Sequence, residues 1–220
     1  MTLKAVLLDF NGVIIKDEPI HEDLIGDILL SENLRPDASE FKAFCLGRSD
    51  RACLRDILAQ RDRIVSQKYL ENLIQKKTQA YQQKLAELEE LPLYPGIREF
   101  LTQLQEQKIA IALVTGALRQ EVELVLQKSD IAQYFSLIVG GDDITQSKPE
   151  PEGYLLAVEQ LNLQPSECLA IEDSYPGIEA AKKAGIPVVG VANTYPLHLL
   201  QRRANWIVDY LGQLELERFL

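Results

Sequence analysis

Seven residues that can do metal or phosphate chemistry lie at or after the ends of four short apolar runs. They are Asp9, Asn11, Thr115, Gly116, Lys148, Glu172 and Asp173. A cluster of carboxylates suits a hard divalent cation, whereas a hydroxyl, a backbone amide and an ammonium group suit phosphate oxygens. These residue types therefore indicate metal-assisted chemistry on a phosphate group, provided that the fold brings the four places together.

The apolar runs themselves predict strands, because each is short, rich in aliphatic residues and bounded by polar residues or glycine. Five runs occupy residues 4–9, 109–114, 136–140, 168–172 and 187–192, and residues 206–208 form a short possible sixth. Segments with helical spacing lie between them, at residues 96–106, 118–128, 152–161, 177–184 and 196–203. This alternation predicts an α/β fold, a Rossmann-like three-layer core with a parallel sheet. Ligands of such sheets bind beyond the carboxyl ends of the strands, where we expect the seven residues to meet.

Residues 16–91 interrupt the alternation. This stretch is rich in Leu, Gln, Glu, Lys and Arg, contains no strand-like run, and has apolar residues near helical spacing between residues 61 and 90. We predict an all-helical cap domain (16–91) inserted into an α/β core domain (1–15 and 92–220). Hinges between the two are expected near residues 16–17 and 91–94.

Composition excludes several classes of function. The chain has 220 residues, 46% of them hydrophobic and 25% charged, and its formal net charge is -10. Binding to nucleic acid needs a basic footprint, so we expect no nucleic-acid partner. The N-terminal residues show neither a signal peptide nor a membrane span, so we expect no membrane partner and a cytoplasmic location. Nothing in the sequence identifies a protein partner.

The three cysteines, Cys45, Cys53 and Cys168, are odd in number, unclustered and flanked by apolar residues. We expect them to be packing residues rather than a disulfide framework or a zinc site. Unpaired cysteines are typical of a reducing compartment.

Four motifs, taken in order, resemble those of the haloacid dehalogenase superfamily of phosphohydrolases, in the subgroup whose helical cap follows the first strand. The motifs are Asp9-Phe10-Asn11-Gly12-Val13, Thr115, Lys148-Pro149 and Glu172-Asp173. Each motif alone is a weak signal, but the four in order span nearly the whole chain. The superfamily resemblance is therefore specific.

The resemblance implies Mg²⁺-dependent hydrolysis of a small phosphorylated metabolite, such as a sugar phosphate, with Asp9 as the nucleophile that forms an aspartyl-phosphate. The residues implied to bind Mg²⁺ are Asp9, the backbone carbonyl of Asn11, Glu172 and Asp173. Glu172 either binds the metal or orients its neighbours. The residues implied to hold the phosphate oxygens are Thr115, the Gly116 amide and Lys148.

Asn11 departs from the family pattern, in which a second Asp is the general acid and base. An amide cannot transfer that proton, so turnover is expected to suffer more than phosphate affinity. Three explanations stay open: a slow or specialised phosphatase, altered chemistry on carbon–halogen or carbon–phosphorus bonds, and a binding or regulatory protein or a chain altered to trap an intermediate. We expect Asn11→Asp to raise kcat if the rest of the site is intact.

Two segments of the insert resemble the cap of the β-phosphoglucomutase-like branch. They are Glu18-Pro19-Ile20-His21 and Gly47-Arg48-Ser49. The resemblance implies that His21, Gly47, Arg48 and Ser49 contact substrate. For His21 a structural role is an equal alternative, and Ser49 could instead cap a helix over residues 50–60.

The residue after the cap Gly-x-Ser motif argues against a mutase. In mutases of that branch this residue is commonly basic and binds the substrate's second phosphate, whereas here it is Asp50. Arg48 or Arg51 could substitute for the missing basic group. We therefore rank a monophosphate hydrolase above a sugar-phosphate mutase.

Overall fold

The computed structural model describes residues 3–219. Its strands are β1 (Ala5–Leu8), β2 (Ala110–Val114), β3 (Leu137–Val139), β4 (Cys168–Glu172), β5 (Val188–Val191) and β6 (Trp206–Val208). Its helices are α1 (Glu18–Ser31), α2 (Ala38–Phe44), α3 (Asp50–Gln60), α4 (Gln67–Glu87), α5 (Ile97–Glu106), α6 (Arg119–Lys128), α7 (Glu152–Gln160), α8 (Tyr175–Lys183) and α9 (Leu197–Leu200).

The six strands form one parallel sheet in the order β3-β2-β1-β4-β5-β6. β1 lies in the interior of this sheet, and its four residues are fully buried. Val6 and Leu8 enter the hydrophobic cluster on one face, whereas Ala5 and Leu7 enter the cluster on the other. Burial on both faces explains why the strand is an unbroken apolar run.

The predicted α/β Rossmann-like fold is confirmed. Each strand lies within its predicted run, and the third layer comes from helices that alternate with the strands. The largest difference is in the last predicted helix, at residues 196–203, where only Leu197–Leu200 is helical. α8 begins two residues earlier than predicted, because the Ser174 hydroxyl accepts a hydrogen bond from Gly177 N and caps it.

The inserted stretch consists of α1 to α4, within the bounds predicted for the cap. It has a hydrophobic cluster of its own, built from Ile25, Ile28, Leu29, Phe41, Cys45, Cys53, Leu54, Ile57, Leu58, Leu70, Leu73 and Ile74. The C-terminal half of α4 instead packs against the core through Tyr81 and Leu85. Ser66 caps the start of α4, which is why the helix begins after the first residues of the periodic stretch at 61–90.

The chain enters and leaves the insert through two segments that pair with each other. Lys16 N donates to Pro92 O (2.8 Å), and Tyr94 N donates to Ile14 O (2.9 Å). These hydrogen bonds lie where the sequence predicts hinges. No helix within residues 3–219 combines the length and the apolar character that a membrane crossing requires.

The expectation for two of the cysteines was wrong. Cys45 and Cys53 form a disulfide with their Cα atoms 4.6 Å apart, whereas Cys168 is free and buried. Cys45 directly follows α2 and Cys53 lies in the first turn of α3, so the tight turn between the two helices brings the sulfur atoms together. The expectation of a reducing compartment, which rested on unpaired cysteines, loses that support.

Candidate active site

The site lies where the order of strands reverses, between β1 and β4. Asp9 directly follows β1, Glu172 ends β4, and Asp173 comes next. All three side chains are buried, and their carboxylate oxygens lie within 4.8 Å of one another. The crevice outside a strand-order reversal is the usual ligand site of an open parallel sheet.

Lys148 holds two of these carboxylates together. Its ammonium group lies 2.9 Å from Asp9 Oδ1 and 2.7 Å from Glu172 Oε1, and it donates to Val114 O (2.9 Å). Burial alone would lower the pKa of Lys148, but the charges of Asp9 and Glu172 outweigh it and raise the pKa. Lys148 therefore stays charged, with all three of its protons engaged.

Glu172 is fully buried and surrounded by donors. Besides Lys148, its Oε1 accepts from the Tyr154 hydroxyl (2.7 Å), and its Oε2 accepts from the Ser174 hydroxyl (3.2 Å). A Cβ at Gly177 would overlap this carboxylate, so the glycine makes room for it. Burial, and then the charge of Asp9, raise the pKa of Glu172 against the opposing effect of Lys148. This arrangement suits orienting Lys148 more than it suits binding a metal.

The charge of the Asp173 carboxylate is compensated by fewer donors than that of Glu172. Its Oδ2 accepts a hydrogen bond from the Thr194 hydroxyl, and a Cβ at Gly12 would overlap the carboxylate. Gly12 also has a φ of 81°, so both space and backbone conformation require glycine there. Burial, and then the charges of Asp9 and Glu172, raise the pKa of Asp173 well above its ordinary value. A cation near this carboxylate would relieve that repulsion.

Thr115 and Gly116 follow β2 on the same edge of the sheet. Thr115 is buried, and its hydroxyl oxygen accepts from Ala117 N (3.0 Å), so the hydroxyl proton stays available for a ligand. Gly116 borders the cavity described below, and a Cβ there would press against the backbone of Arg48 and Ser49. The glycine therefore lets the cap approach the sheet edge closely.

The Asn11 side chain is hydrogen-bonded to a carboxylate at the start of the insert. Its Nδ2 donates to both oxygens of Asp17 (3.0 Å each), and Tyr81 also donates to that carboxylate. His21 Nε2 lies 3.2 Å from Asp17 Oδ2 and 3.1 Å from Asn11 Nδ2, and the His21 ring stacks on Tyr81. Burial would raise the pKa of Asp17, but His21, Asn11 and Tyr81 together lower it. Asp17 is therefore a stable buried anion.

The cap loop at residues 47–49 packs directly on the core. Ser49 N donates to the Ser147 hydroxyl (2.8 Å), and a Cβ at Gly47 would overlap the Ser174 hydroxyl. Gly47 has a φ of 71°, which again favours glycine. The Ser49 side chain caps α3 by accepting from Ala52 N, so its hydroxyl has the structural role named as an alternative.

A cavity of about 60 Å³ lies between the core and the cap. Its polar lining consists of Asp9, Asn11, Glu18, His21, Gly47, Arg48, Asp50, Lys77 and Gly116. The volume holds a few water molecules but no phosphorylated metabolite. The inserted helices thus lie against the core and leave little room for a substrate between them.

Comparison with known proteins identifies the family. A family model described as haloacid dehalogenase-like hydrolase matches residues 6–191. The chain belongs to the haloacid dehalogenase-like hydrolases. It is 32% identical over 193 residues to a phosphorylated carbohydrates phosphatase of Thermotoga maritima, and this match covers 87% of each protein.

Two further relatives support the family assignment. A phosphoglycolate phosphatase of Escherichia coli O157:H7 is 34% identical over 157 residues, which cover 70% of this chain and 62% of that protein. The crystal structure of β-phosphoglucomutase from Clostridium difficile has a TM-score of 0.88 at 26% identity and covers 99% of this chain and 95% of its own. The superfamily and the branch named from the sequence motifs are therefore both confirmed.

Some site residues of this haloacid dehalogenase-like hydrolase were not predicted from the sequence. Asn193 donates to Gly12 O (2.7 Å) and Thr194 donates to Asp173, both from the loop after β5. The signal was present, because two polar residues follow the fifth apolar run just as others follow the first four. Tyr154, on α7, and Tyr81, on α4, carried no such signal, because each reads as an ordinary apolar position of a helix.

Glu18 also borders the cavity, at the start of α1. Its Oε1 is buried and has no hydrogen-bond partner within residues 3–219. Burial raises the pKa of Glu18 to about 7, and the charge of Asp17 contributes in the same direction. The cap thus brings an ionisable group that titrates near neutral pH to the side of the cavity opposite Asp9.

Proposed function

We propose that this hydrolase releases phosphate from a small phosphomonoester with the help of Mg²⁺. The observation that carries the proposal is the buried group of Asp9, Glu172 and Asp173, bridged by Lys148 at the strand-order reversal. The names of two relatives, a phosphorylated carbohydrates phosphatase and a phosphoglycolate phosphatase, support a small phosphorylated metabolite as the substrate.

The donor set fits Mg²⁺. Three buried carboxylates lie together, and Lys148 pairs with two of them, Asp9 and Glu172. Burial and the charges of Asp9 and Glu172 raise the pKa of the third, Asp173, and a cation would relieve that repulsion. Asp9, Asp173 and the backbone carbonyl of Asn11 would hold the ion, with Glu172 in a supporting position. When bound, the ion would neutralise charge, so that an anionic nucleophile and an anionic phosphate can come together.

Asp9 is the proposed nucleophile. Both hydrogen bonds to its carboxylate within the described part of the chain fall on Oδ1, from Phe10 N (2.8 Å) and Lys148 Nζ (2.9 Å). Oδ2 is the oxygen that attacks phosphorus: the Oδ2–P bond forms, the ester P–O bond breaks, and the leaving oxygen takes a proton from solvent water, because Asn11 has none to give. Water then attacks phosphorus and returns a proton to solvent, and the Oδ2–P bond breaks, which releases inorganic phosphate and restores the carboxylate.

Lys148, the Thr115 hydroxyl and the Gly116 amide are proposed to hold the phosphoryl oxygens. Each is a donor at the carboxyl edge of the sheet. Lys148 would turn the proton that contacts Asp9 Oδ1 to a phosphoryl oxygen, while Glu172 and Val114 O keep its ammonium group in place. Preorganised donors of this kind stabilise the charge that develops in the transition state. His21, Gly47 and Arg48 border the same space from the cap, whereas Ser49 borders neighbouring grooves. Closure of the cap would exclude water and position the substrate.

Asn11 makes the proposed enzyme slow. It has no proton to transfer, and its amide is held by the Asp17 carboxylate. General acid–base assistance is typically worth about 10² to 10⁴ in rate. We therefore propose a slow or specialised phosphatase rather than an inactive binding protein.

The test is phosphate release from a panel of small phosphomonoesters, with and without Mg²⁺, by the native chain and by Asp9→Asn. Mg²⁺-dependent release that Asp9→Asn abolishes would support the proposal. Equal background rates in the two proteins, together with saturable binding of inorganic phosphate, would instead favour a metabolite-binding or regulatory protein on the same site.

A sugar-phosphate mutase is the second candidate, because the structure of β-phosphoglucomutase is so similar to this one. Asp50 argues against it, and Arg51 borders an outer groove rather than the cavity. Phosphorus NMR of a hexose 1-phosphate incubated with the chain, Mg²⁺ and a trace of hexose bisphosphate distinguishes the two. A hexose 6-phosphate product identifies a mutase, and inorganic phosphate identifies a hydrolase.

A further inference from the structure

A second lysine lies between two carboxylates on the cap side of the cavity. Lys77 Nζ, on α4, lies 2.8 Å from Asp50 Oδ2, on α3, and 3.2 Å from Glu121 Oε1, on α6 of the core. The side chains of Lys77 and Glu121 are 1% and 0% exposed, and that of Asp50 is 16% exposed. The group, which we call the cap cluster, therefore spans both sides of the closed interface.

The cap cluster is never positively charged. Burial alone would lower the pKa of Lys77, but Asp50 and Glu121 outweigh it and leave the pKa raised. Burial raises the pKa of Glu121, although Lys77 opposes the effect. If Glu121 is protonated the cluster is neutral, and if it is ionised the cluster carries one negative charge.

Arg48, which also borders the cavity, is neutralised in the same way. Its guanidinium group donates to Asp56 (2.6 Å) and to Phe44 O (3.0 Å). Its Nε is buried and has no partner among residues 3–219, so one N–H is left for a ligand. The cap therefore offers this part of the cavity hydrogen-bond donors but no uncompensated positive charge.

From this balance we propose that Asp50 and Glu121 determine specificity by excluding a second phosphate. The site would accept substrates with one phosphate, held at Asp9, and an uncharged, hydroxyl-bearing tail under the cap. The inference rests on the proposed function, since it concerns the far end of the same substrate.

The physical reason is competition for Lys77. A second phosphate carries about two negative charges and would have to displace a buried carboxylate from the ammonium group, which leaves that carboxylate without its partner. A hydroxyl can instead donate to Asp50 and accept from Arg48 Nε without breaking the ion pairs. Ile25, Phe41 and Leu46 border the same space and favour an uncharged ligand further.

The experiment compares a hexose 6-phosphate with a hexose 1,6-bisphosphate. Calorimetry on the Asp9→Asn background with Mg²⁺ gives the two dissociation constants without turnover, and kcat/KM on the chain with Asp9 intact gives the kinetic preference. The variants are Asp50→Asn, Glu121→Gln and the double variant, each nearly isosteric. Asp27→Asn, at an exposed site on α1, is the control with the same change of charge.

We expect the preference for the monophosphate over the bisphosphate to fall about tenfold or more in the double variant and by less in each single one. Asp27→Asn should leave the ratio unchanged. Thermal unfolding identifies any variant that fails to fold. If the variants at Glu121 fail, Asp50→Asn alone still tests the proposal, because its carboxylate is the less buried of the two.

An unchanged ratio in folded Asp50→Asn and Glu121→Gln would overturn the proposal, even if phosphatase activity is present. A native chain that already binds the bisphosphate more tightly than the monophosphate would overturn it too. Failure of the proposed function has a different signature, which is no phosphate release from any substrate. The calorimetric ratio still tests the cap cluster in that case.

Discussion

Two lysines in this molecule are each held between two carboxylates, and the two groups differ in what surrounds them. Lys148 lies between Asp9 and Glu172 at the ends of strands, and a third carboxylate, Asp173, lies beside them without an ion pair among residues 3–219. Lys77, on α4, lies between two carboxylates from two other helices, Asp50 on α3 and Glu121 on α6. The same combination of residues therefore provides the proposed cation site at the core and a neutral or anionic surface on the cap.

The comparison shows that the residue types alone do not assign a role. At the core, the parallel sheet fixes the side chains, so the three carboxylates stay close together. On the cap side, Lys77 and Asp50 belong to the insert and Glu121 to the core, so any movement of the proposed cap would part Lys77 from Glu121. We therefore expect the core lysine to act on the transition state and the cap lysine on the choice of substrate.

Replacing each lysine by methionine tests the difference most strongly. Lys148→Met removes a donor proposed to hold the phosphoryl group and leaves Glu172 without its cation, so we expect kcat to fall by about 10² to 10³. Lys77→Met should act mainly on KM and on the choice of substrate. Steady-state kinetics on one phosphomonoester measure both effects. A larger loss of kcat in Lys77→Met than in Lys148→Met would contradict the comparison.

The core site could be predicted from the sequence to a much greater extent than the cap site. A parallel sheet collects the residues that follow its strands, so Asp9, Lys148 and Asp173 could be placed together without a structure. Lys77 and Glu121 are 44 positions apart on different domains, and their contact depends on how the closed cap lies on the core. Helical spacing cannot predict that angle.

The same limit applies to two further positions. The loss of a catalytic acid at Asn11 could be predicted from the sequence, but the pairing of its amide with the buried Asp17 carboxylate could not, because that contact depends on where the insert begins. Cys45 and Cys53 read as isolated cysteines, because a separation of eight residues brings two sulfur atoms together only when a tight turn joins the two helices.

Asn11 and Asp17 lie on the boundary between core and cap. Exchanging the amide and the carboxylate between these two positions tests whether the boundary belongs functionally to the core. Asn11→Asp alone places a second carboxylate against Asp17, so the gain expected from the sequence should be small. The double variant Asn11→Asp/Asp17→Asn keeps the net charge and transfers the carboxylate to position 11. We expect it to raise kcat by about 10², the value of general acid–base assistance.

Stopped assays with intact-mass analysis measure this effect, since the sequence Asn11-Gly12 can deamidate and mimic the single variant. Asp17→Asn alone is the matched control and should not raise kcat. A single Asn11→Asp variant that already equals the double variant would show that the Asp17 carboxylate does not oppose an acid at position 11.

Glu18, on the cap side of the cavity, predicts a pH dependence of stability. Its pKa is raised from 4.5 to about 7, so the folded state keeps the proton that the unfolded state loses above about 4.5. Its stabilising contribution is thus complete below pH 4.5 and is lost as the pH rises through 7, by about 3 kcal/mol. Urea unfolding of Glu18→Gln in chelating buffer should show a flatter pH profile than the native chain. The exposed control Glu89→Gln should keep the native slope, and equal slopes in all three proteins would remove Glu18 as the cause.

The smallest expected effect concerns the disulfide, which belongs to the cap alone. The Cys45–Cys53 bond closes the loop that carries Gly47, Arg48 and Asp50, three residues that line the cavity. It therefore restricts the conformations of this loop, above all in the unfolded chain. Closing so short a loop is worth roughly 2 kcal/mol in the chain-entropy account. Reduction by a dithiol transfers two electrons and two protons to the sulfur pair.

Reduction should lower the free energy of unfolding by roughly 2 kcal/mol and raise KM, while kcat, which depends on the core, stays nearly constant. Denaturant titration and kinetics with and without the dithiol measure the three quantities, and Cys45→Ser/Cys53→Ser should reproduce the reduced values and no longer respond to the dithiol. A fall in kcat at constant KM would mean that the disulfide acts on the core, and the division of labour between core and cap would then be wrong.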